Sequence, residues 1–354
     1  MSVLVTDTTG VSYAEIRAGE LHRLRRVPGG MRRGVGTNRR AVRHRRGLTV
    51  LTAVPETNVP VVNGAADASA LSPAPKVPRD KGDADVAGVT AEGTVLALGS
   101  RSANRPGPAL HALPWGADAW HDIEVPTDFR LSFVAGSAGD TAYVTGGVGG
   151  ASADPNAEER PALFAVDTAH GTVTELPLPD GGPARRRRDR WRLSSIDPTV
   201  GRLEDGAFHD DVIVACASYG ESFEHEVLHA ADRGRGTWST VQLQVGEGAL
   251  AQYVDARRTG YAFTGFGNLW VSRAGGPWER TALRERLAEL LGASARELRA
   301  GPAALVDGRL LLAAEGAVVA CAPDGGDPRV LCSYDEDTEI RCFVEPPAGG
   351  IGKP

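Results

Sequence analysis

The sequence predicts an all-β protein: one propeller domain over residues 1–354, built from four-stranded blades and closed by pairing of its N- and C-terminal strands. Three observations carry this. Glycine (44) and proline (23) abound while helical periodicity is nearly absent. One hairpin recurs without gaps. The N-terminal segment supplies only three strands, and a lone strand ends the chain.

The repeat is read directly. Residues 108–125 (PALHALPWGADAWHDIEV), 161–178 (PALFAVDTAHGTVTELPL) and 226–243 (EVLHAADRGRGTWSTVQL) each place an apolar run, a turn and a second run in the same order. The second and third copies share Leu163/Leu228, Ala165/Ala230, Asp167/Asp232, Gly171/Gly236, Thr172/Thr237 and Leu178/Leu243. Strand, tight Gly/Asp turn and strand make a hairpin.

Two more strand-like runs precede each hairpin: 84–90 and 94–99, 130–136 and 141–146, 190–196 and 211–217. Four strands is the size of a propeller blade. Weaker copies cover 35–76, 249–283 and 301–333. The N-terminal SVLVTDTTGVSYAEIRAGELHRL lacks one strand, which TEIRCFVE at 338–345 supplies, removing the sheet edges that an open ring exposes. The count is seven blades, with six as the alternative. One segment departs from the pattern. In TALRERLAELLG (281–292), Leu283, Leu287, Leu290 and Leu291 fall on one helical face and Gly292 is placed to cap it, so a short helix is expected over an edge of the ring.

Composition excludes several classes. The first ten residues lack the basic start and apolar run of a signal peptide, and the most apolar stretch, 301–323, is broken by Asp307, Arg309 and Glu315, so no membrane span is expected. Cys216, Cys321, Cys332 and Cys342 show no C-x-x-C spacing and read as buried thiols of a cytoplasmic protein. Only Lys76, Lys81 and Lys353 are lysines, so 36 of 39 basic residues are arginine. Ten arginines and no acid lie between Arg23 and Arg46, and Arg185 to Arg188 are consecutive. With a net charge of −6 and no interleaved aromatics, these patches suit carboxylates or phosphates better than nucleic acid.

Residues 225–229, His-Glu-Val-Leu-His, match the zinc-protease pattern H-E-x-x-H, which works because a helix puts positions i and i+4 on one face. The repeat assigns this segment to a strand instead, with His229 aligned to Phe164 and His111. Strand residues four apart are separated by about 13 Å, too far to share one zinc. His225 and His229 are therefore not read as metal ligands, and no metal is assigned.

Two of the hairpin turns resemble degenerate Asp-boxes, the Ser-x-Asp-x-Gly-x-Thr-Trp turns of sialidase-like propellers. Asp232, Gly234, Thr237 and Trp238 match with one extra residue; Ser272, Gly275, Gly276 and Trp278 match with the aspartate lost. In that family the box joins the third and fourth strands of a blade and is structural, so the resemblance implies fold. Arg26-Val27-Pro28 is similar to the Arg-Ile-Pro of sialidases, whose arginine holds the sialate carboxylate, and Gly93-Thr-Val-Leu-Ala followed by Arg101 resembles the segment after it. No acid follows Arg101 closely, where the family places its catalytic aspartate, and no tyrosine–glutamate nucleophile pair can be placed.

Function is expected where loops joining strand two to three, and strand four to the next blade, surround the channel mouth. The arginine-rich loops point to ligand-binding roles for Arg26, Arg101, Arg130 and Arg187, since converging guanidiniums hold carboxylate or phosphate bidentately. Acid–base candidates are His209 and Asp211 before a second strand, and Tyr219, Glu221 and His225 after it. No cofactor fingerprint stands out, and the cofactor is unknown. These features favour a binding or scaffolding propeller that holds an anionic small molecule, peptide or partner protein. The alternative is a propeller enzyme (a lyase, cyclase or sialidase-like glycoside hydrolase) acting at the same face.

Overall fold

The computed structural model describes residues 1–7, 10–26, 40–54, 59–65, 72–73, 75, 84–99, 109–149, 160–179, 203, 205–219 and 225–345. The chain begins with β1 (Ser2–Asp7), β2 (Gly10–Arg17) and β3 (Glu20–Arg26). Next come β4 (Arg40–His44), β5 (Gly47–Val54), β6 (Val59–Ala65) and the two-residue β7 (Ser72–Pro73). A third set holds β8 (Ala84–Val89), β9 (Val95–Gly99), β10 (Ala109–Leu113) and β11 (His121–Glu124). β12 (Phe129–Ala138), β13 (Thr141–Val148), β14 (Arg160–Asp167) and β15 (Thr172–Leu176) follow. The fifth set is β16 (Asp205–His209), β17 (Val212–Tyr219), β18 (His225–Asp232) and β19 (Thr237–Gln242). The sixth is β20 (Ala249–Val254), β21 (Thr259–Thr264), β22 (Leu269–Arg273) and β23 (Trp278–Arg280), after which comes helix α1 (Leu283–Leu291). The last strands are β24 (Ala300–Val306), β25 (Arg309–Ala314), β26 (Ala317–Cys321), β27 (Arg329–Ser333) and β28 (Glu339–Glu345).

This is an all-β propeller with four-stranded antiparallel meanders as its units. The expectation of seven separate blades is corrected at the level of hydrogen bonding: the strands form six sheets, the alternative count, five of four strands and one of eight in the order β3-β2-β1-β28-β4-β5-β6-β7. The cause lies in the closing strand. β28 pairs antiparallel with β1 (Val3↔Phe343, Thr6↔Glu339), as expected from the sequence, and its end then pairs parallel with β4 (Val344↔Ala41, Glu345↔Val42). That second pairing fuses the terminal meander to its neighbour.

Each sheet is packed on both faces, so its strands are apolar on both sides rather than alternating with polar residues. In β1, Val3 and Val5 point toward Leu311, Val318 and Phe343, while Leu4 points toward Tyr13, Leu48 and Val344. All three are fully buried, and burying each contributes about 1.5–3 kcal/mol relative to exposure. Closure of the ring therefore rests on ordinary core packing as well as on the ladder.

The repeat has the meaning the alignment gave it. Asp167 accepts the amides of Ala169 and His170 at 3.0 Å, and Asp232 accepts that of Arg235 at 3.0 Å. Gly171 and Gly236 both adopt φ of 68°, the left-handed conformation that ends each four-residue turn. One assignment is corrected: the first strand of the third copy is β16 at Asp205–His209, and the expected run at 190–196 lies outside the described residues. The helix begins and ends inside the expected segment, and the Gly292 amide caps it on the carbonyls of Ala288 and Glu289. Its buried arc holds Leu283, Leu287, Ala288 and partly Leu291. Leu290, expected on that face, sits at the margin and is exposed. No helix among the described residues is long and apolar enough to cross a membrane.

Candidate functional site

Strands alternate in direction, so connections from first to second and from third to fourth strand leave one face of the ring, here the turn face. The others leave the opposite, loop face. On the turn face the chain is tight: two residues join β12 to β13, β16 to β17 and β24 to β25, and four join β14 to β15 and β18 to β19. The strands that bound the three longest connections, after β3, after β15 and around α1, end on the loop face, where two residues also join β1 to β2 and β25 to β26.

This geometry divides the acid–base candidates. His209 ends β16 and Asp211 sits in the β16–β17 turn, where Asp210 and Asp211 have φ of 51° and 68°. They lie on the turn face, and Asp211 is engaged by Arg233 Nη1 at 3.1 Å. Tyr219 and His225 pair across the opposite end of β17 and β18, on the loop face. A site using all of them is thus excluded by the length of one strand. Glu221, Arg101 and Arg187 lie outside the described residues. Arg130, near the start of β12, and Arg26, exposed at the end of β3, both belong to the loop face, but on a first and a fourth strand, at opposite radii of their sheets.

His229 is buried on the Ala231 side of β18, edge-on to Trp238 at 5.9 Å, and burial lowers its pKa to about 4. The H-E-x-x-H segment is strand throughout, as the repeat required. Among the described residues, no three His, Cys, Asp or Glu side chains are grouped to hold a metal ion.

What the sequence reading missed is the glutamate between those histidines. Glu226 lies near the loop-face end of β18, with Glu247 in the adjoining β19–β20 connection. That connection turns on the Gln244 carbonyl, which accepts the Glu247 amide at 2.9 Å. Gly265 of the next loop packs so closely that a Cβ there would lie 2.8 Å from the Glu247 carbonyl oxygen. The Glu247 carboxylate is buried and fully used: Thr264 Oγ1 (2.8 Å), Asn268 Nδ2 (2.7 Å) and Trp270 Nε1 (3.2 Å) donate to Oε1, and the Gln244 amide donates to Oε2 (3.0 Å). Burial alone would raise its pKa, but these donors outweigh burial and the net shift is downward. Glu226 goes the other way. Burial and the charge of Glu247 raise its pKa against the pull of the Ala249 and Gly248 amides, and its Oε2 is buried with no hydrogen-bond partner. Two neighbouring carboxyls pushed apart in this way give one permanent anion that builds the site and one group able to hold a proton or accept a donor.

Beside them, Phe266 forms the tip of the β21–β22 connection. The guanidinium carbons of Arg284 and Arg299 stand 5.7 and 4.7 Å from its ring centre. Arg280 Nη1 contacts Asn268 Oδ1 at 3.4 Å, linking this basic cluster to the Glu247 network. The loop face between β16–β19 and α1 thus presents aromatic and guanidinium groups beside a buried pair of carboxyls.

No family model and no curated protein matches the chain. Among solved structures, YCF48 bound to D1 peptide superposes with a TM-score of 0.50 at 13% identity, covering 84% of this chain and 82% of that one. YCF48 from Cyanidioschyzon merolae gives 0.48 at 9% identity over 84% and 86% of the two chains. The subtype N11 neuraminidase-like protein of A/flat-faced bat/Peru/033/2010 gives 0.42 at 11% over 76% and 78%. The likeness is one of fold.

Proposed function

We propose that this protein is a binding propeller that holds a peptide segment of a partner protein on its loop face, over the seam between β16–β19 and β20–β23. The observation that carries this is the asymmetry of the two faces. The longest connections start and end on one of them, which also carries α1 and the Phe266–Arg299 surface. A peptide supplies what that surface lacks: an apolar group for the Phe266 ring and a carboxylate for Arg299. The YCF48 structure, which holds a peptide, supports the reading only through the shared fold.

Panning a random phage-displayed peptide library against the immobilised protein tests this. Enriched peptides are expected to bind the Phe266→Ser/Arg299→Ser variant about tenfold more weakly, and the turn-face variant Arg309→Ser unchanged. No enrichment over blank support, or equal affinity for all three proteins, would overturn the proposal.

The same reading includes one further point. The protein belongs in the cytoplasm, a location favoured by four buried cysteines, none of them in a disulfide. Recovery in an exported fraction would refute it.

A further inference from the structure

Phe266 stands at the tip of its connection between Gly265 and Gly267. Gly267 takes a φ of +77°, the left-handed conformation, and a Cβ there would lie 2.8 Å from Leu298 Cδ2. The tip is thereby brought against the segment that follows α1. In that segment the Ser294 carbonyl closes a single turn by accepting the Glu297 and Leu298 amides at 3.0 and 2.9 Å, and the carbonyls after it are left for other donors. Two arginines supply them. Arg284 donates from Nε to the Ala295 carbonyl at 2.6 Å and from Nη2 to the Arg296 carbonyl at 3.3 Å. Arg299 donates from Nη1 to the carbonyls of Leu298 at 3.0 Å and of Arg296 at 3.4 Å. Both guanidiniums thus meet at the Arg296 oxygen, so their bonded nitrogens are less than about 7 Å apart, a gap that one anion accepting a bond from each can span. Both also lie against the same Phe266 ring.

These bonds leave the charge of the pair unanswered. Among the described residues neither guanidinium has a carboxylate partner: Glu315 accepts the Arg299 backbone amide at 3.3 Å, and Glu285 is held by Arg280. They also leave donors. Arg299 spends its two Nη1 hydrogens and keeps the fork formed by Nε and Nη2, whereas Arg284 spends that fork on the backbone and keeps Nη1 with one hydrogen of Nη2. Two cations already fixed by backbone and ring lose little freedom on taking up a ligand. A carboxylate brings them one negative charge; a phosphoryl group brings about −1.5 to −2 and three acceptor oxygens. We propose that the partner peptide presents a phosphorylated side chain to Arg284 and Arg299, with an apolar neighbour on the Phe266 ring. The proposal rests on the peptide-binding reading above and sharpens its anion, from the carboxylate that Arg299 alone calls for to a dianion held by both arginines.

Fluorescence anisotropy of the intact protein with fluorescein-labelled Ala-Ala-Leu-Z-Leu-Ala-Ala, where Z is phosphoserine, glutamate or serine, tests the proposal. The phosphoserine peptide is expected to bind about tenfold more tightly than the glutamate peptide, and the serine peptide most weakly. Arg284→Ser should abolish the preference for phosphoserine over glutamate, and Arg299→Lys, which keeps the charge and loses the fork, should reduce it. The turn-face variant Arg309→Ser should leave it intact. Arg299 is exposed and Arg284 half-buried, so both variants are expected to fold, and their own Tm values check it. Equal binding of the phosphoserine and glutamate peptides would overturn the phosphoryl assignment and leave the peptide reading standing. A preference unmoved in both arginine variants, or lost equally in Arg309→Ser, would put the phosphate elsewhere on this arginine-rich chain and overturn it as well. Failure to bind any of the three peptides, by a protein that does bind peptides enriched by panning, would also overturn it, whereas a panning experiment that enriches nothing removes both readings together.

Discussion

Arg258 clamps Asp232 across the seam between two sheets, donating from Nε at 3.1 Å and from Nη2 at 2.5 Å to a carboxylate with no exposed surface. Burial would raise the Asp232 pKa, but Arg258 and the Arg235 amide more than offset it, and the net shift is downward. The two partners are not equivalent. Arg258 keeps some access to water, so Asp232→Ala leaves a cation that can turn outward, whereas Arg258→Ala strands a buried anion. Removing one partner of a buried pair costs about 3–5 kcal/mol. Urea unfolding should show Arg258→Ala near that range and Asp232→Ala clearly below it; the reverse order would contradict this account.

Gly275 shows how the two Asp-box-like turns lock together. Thr237 Oγ1 donates to the Ala274 carbonyl at 2.6 Å, and Ser239 and Ser272 both donate to the Gly276 carbonyl. A Cβ on Gly275 would stand 2.6 Å from the Asp232 amide nitrogen and 2.7 Å from Thr237 Oγ1, and its φ is +69°. Gly275→Ala therefore combines a clash with a backbone penalty and should lower stability by about 2 kcal/mol or more. Gly171→Ala makes the comparison, since it has a similar φ of +68° but open space around its Cβ, and should cost only the backbone part. Equal losses in the two variants would remove the packing argument.

His44 and His229 are both held at a pKa of about 4, chiefly by burial; Arg46 adds to the effect at His44, where Glu92 opposes it. Their ordinary value is 6.5, so as pH falls the unfolded chain takes up these protons before the folded one does. Stability is full above pH 6.5, declines between about 6.5 and 4, and levels off below, by up to about 1.4 kcal/mol per pH unit for each histidine. A proton NMR titration should find both imidazoles neutral at pH 5.5; a midpoint near 6.5 for either would be decisive against the prediction.

How much was legible can be read from particular residues. Asp167 and Asp232 were aligned by sequence alone and make the same turn, because a local motif needs only local residues. The strand at His225–Asp232 followed from that alignment, against the helical appearance of H-E-x-x-H. His209 and Tyr219 looked like neighbours because they are ten positions apart, yet an eight-residue strand puts them on opposite faces. Glu247 carried no signal at all: its partners Thr264, Asn268 and Trp270 arrive from the next sheet, and that pairing exists only once the ring is formed. The parallel contact of Val344 with Ala41 was invisible for the same reason, since nothing in either segment names the other.

Glu226 and Glu247 offer a sharper test, because one substitution should act in opposite directions at the two positions. Glu247→Gln trades an oxygen for an amide nitrogen among donors from Thr264, Asn268, Trp270 and the Gln244 amide. At least one donor is then left buried and unmatched, at a cost of about 1–3 kcal/mol. Glu226→Gln removes a charge that the fold disfavours and that faces Glu247. Because the folded pKa of Glu226 is raised, the native state is favoured below the ordinary value of 4.5 and loses that advantage as pH rises through the folded value. Glu226→Gln should therefore raise the unfolding midpoint at pH 8, and the gain should vanish at pH 4. Urea titrations of both variants at the two pH values, followed by tryptophan fluorescence, provide the check. A loss of stability in Glu226→Gln at pH 8 would mean that its carboxylate is satisfied in the fold.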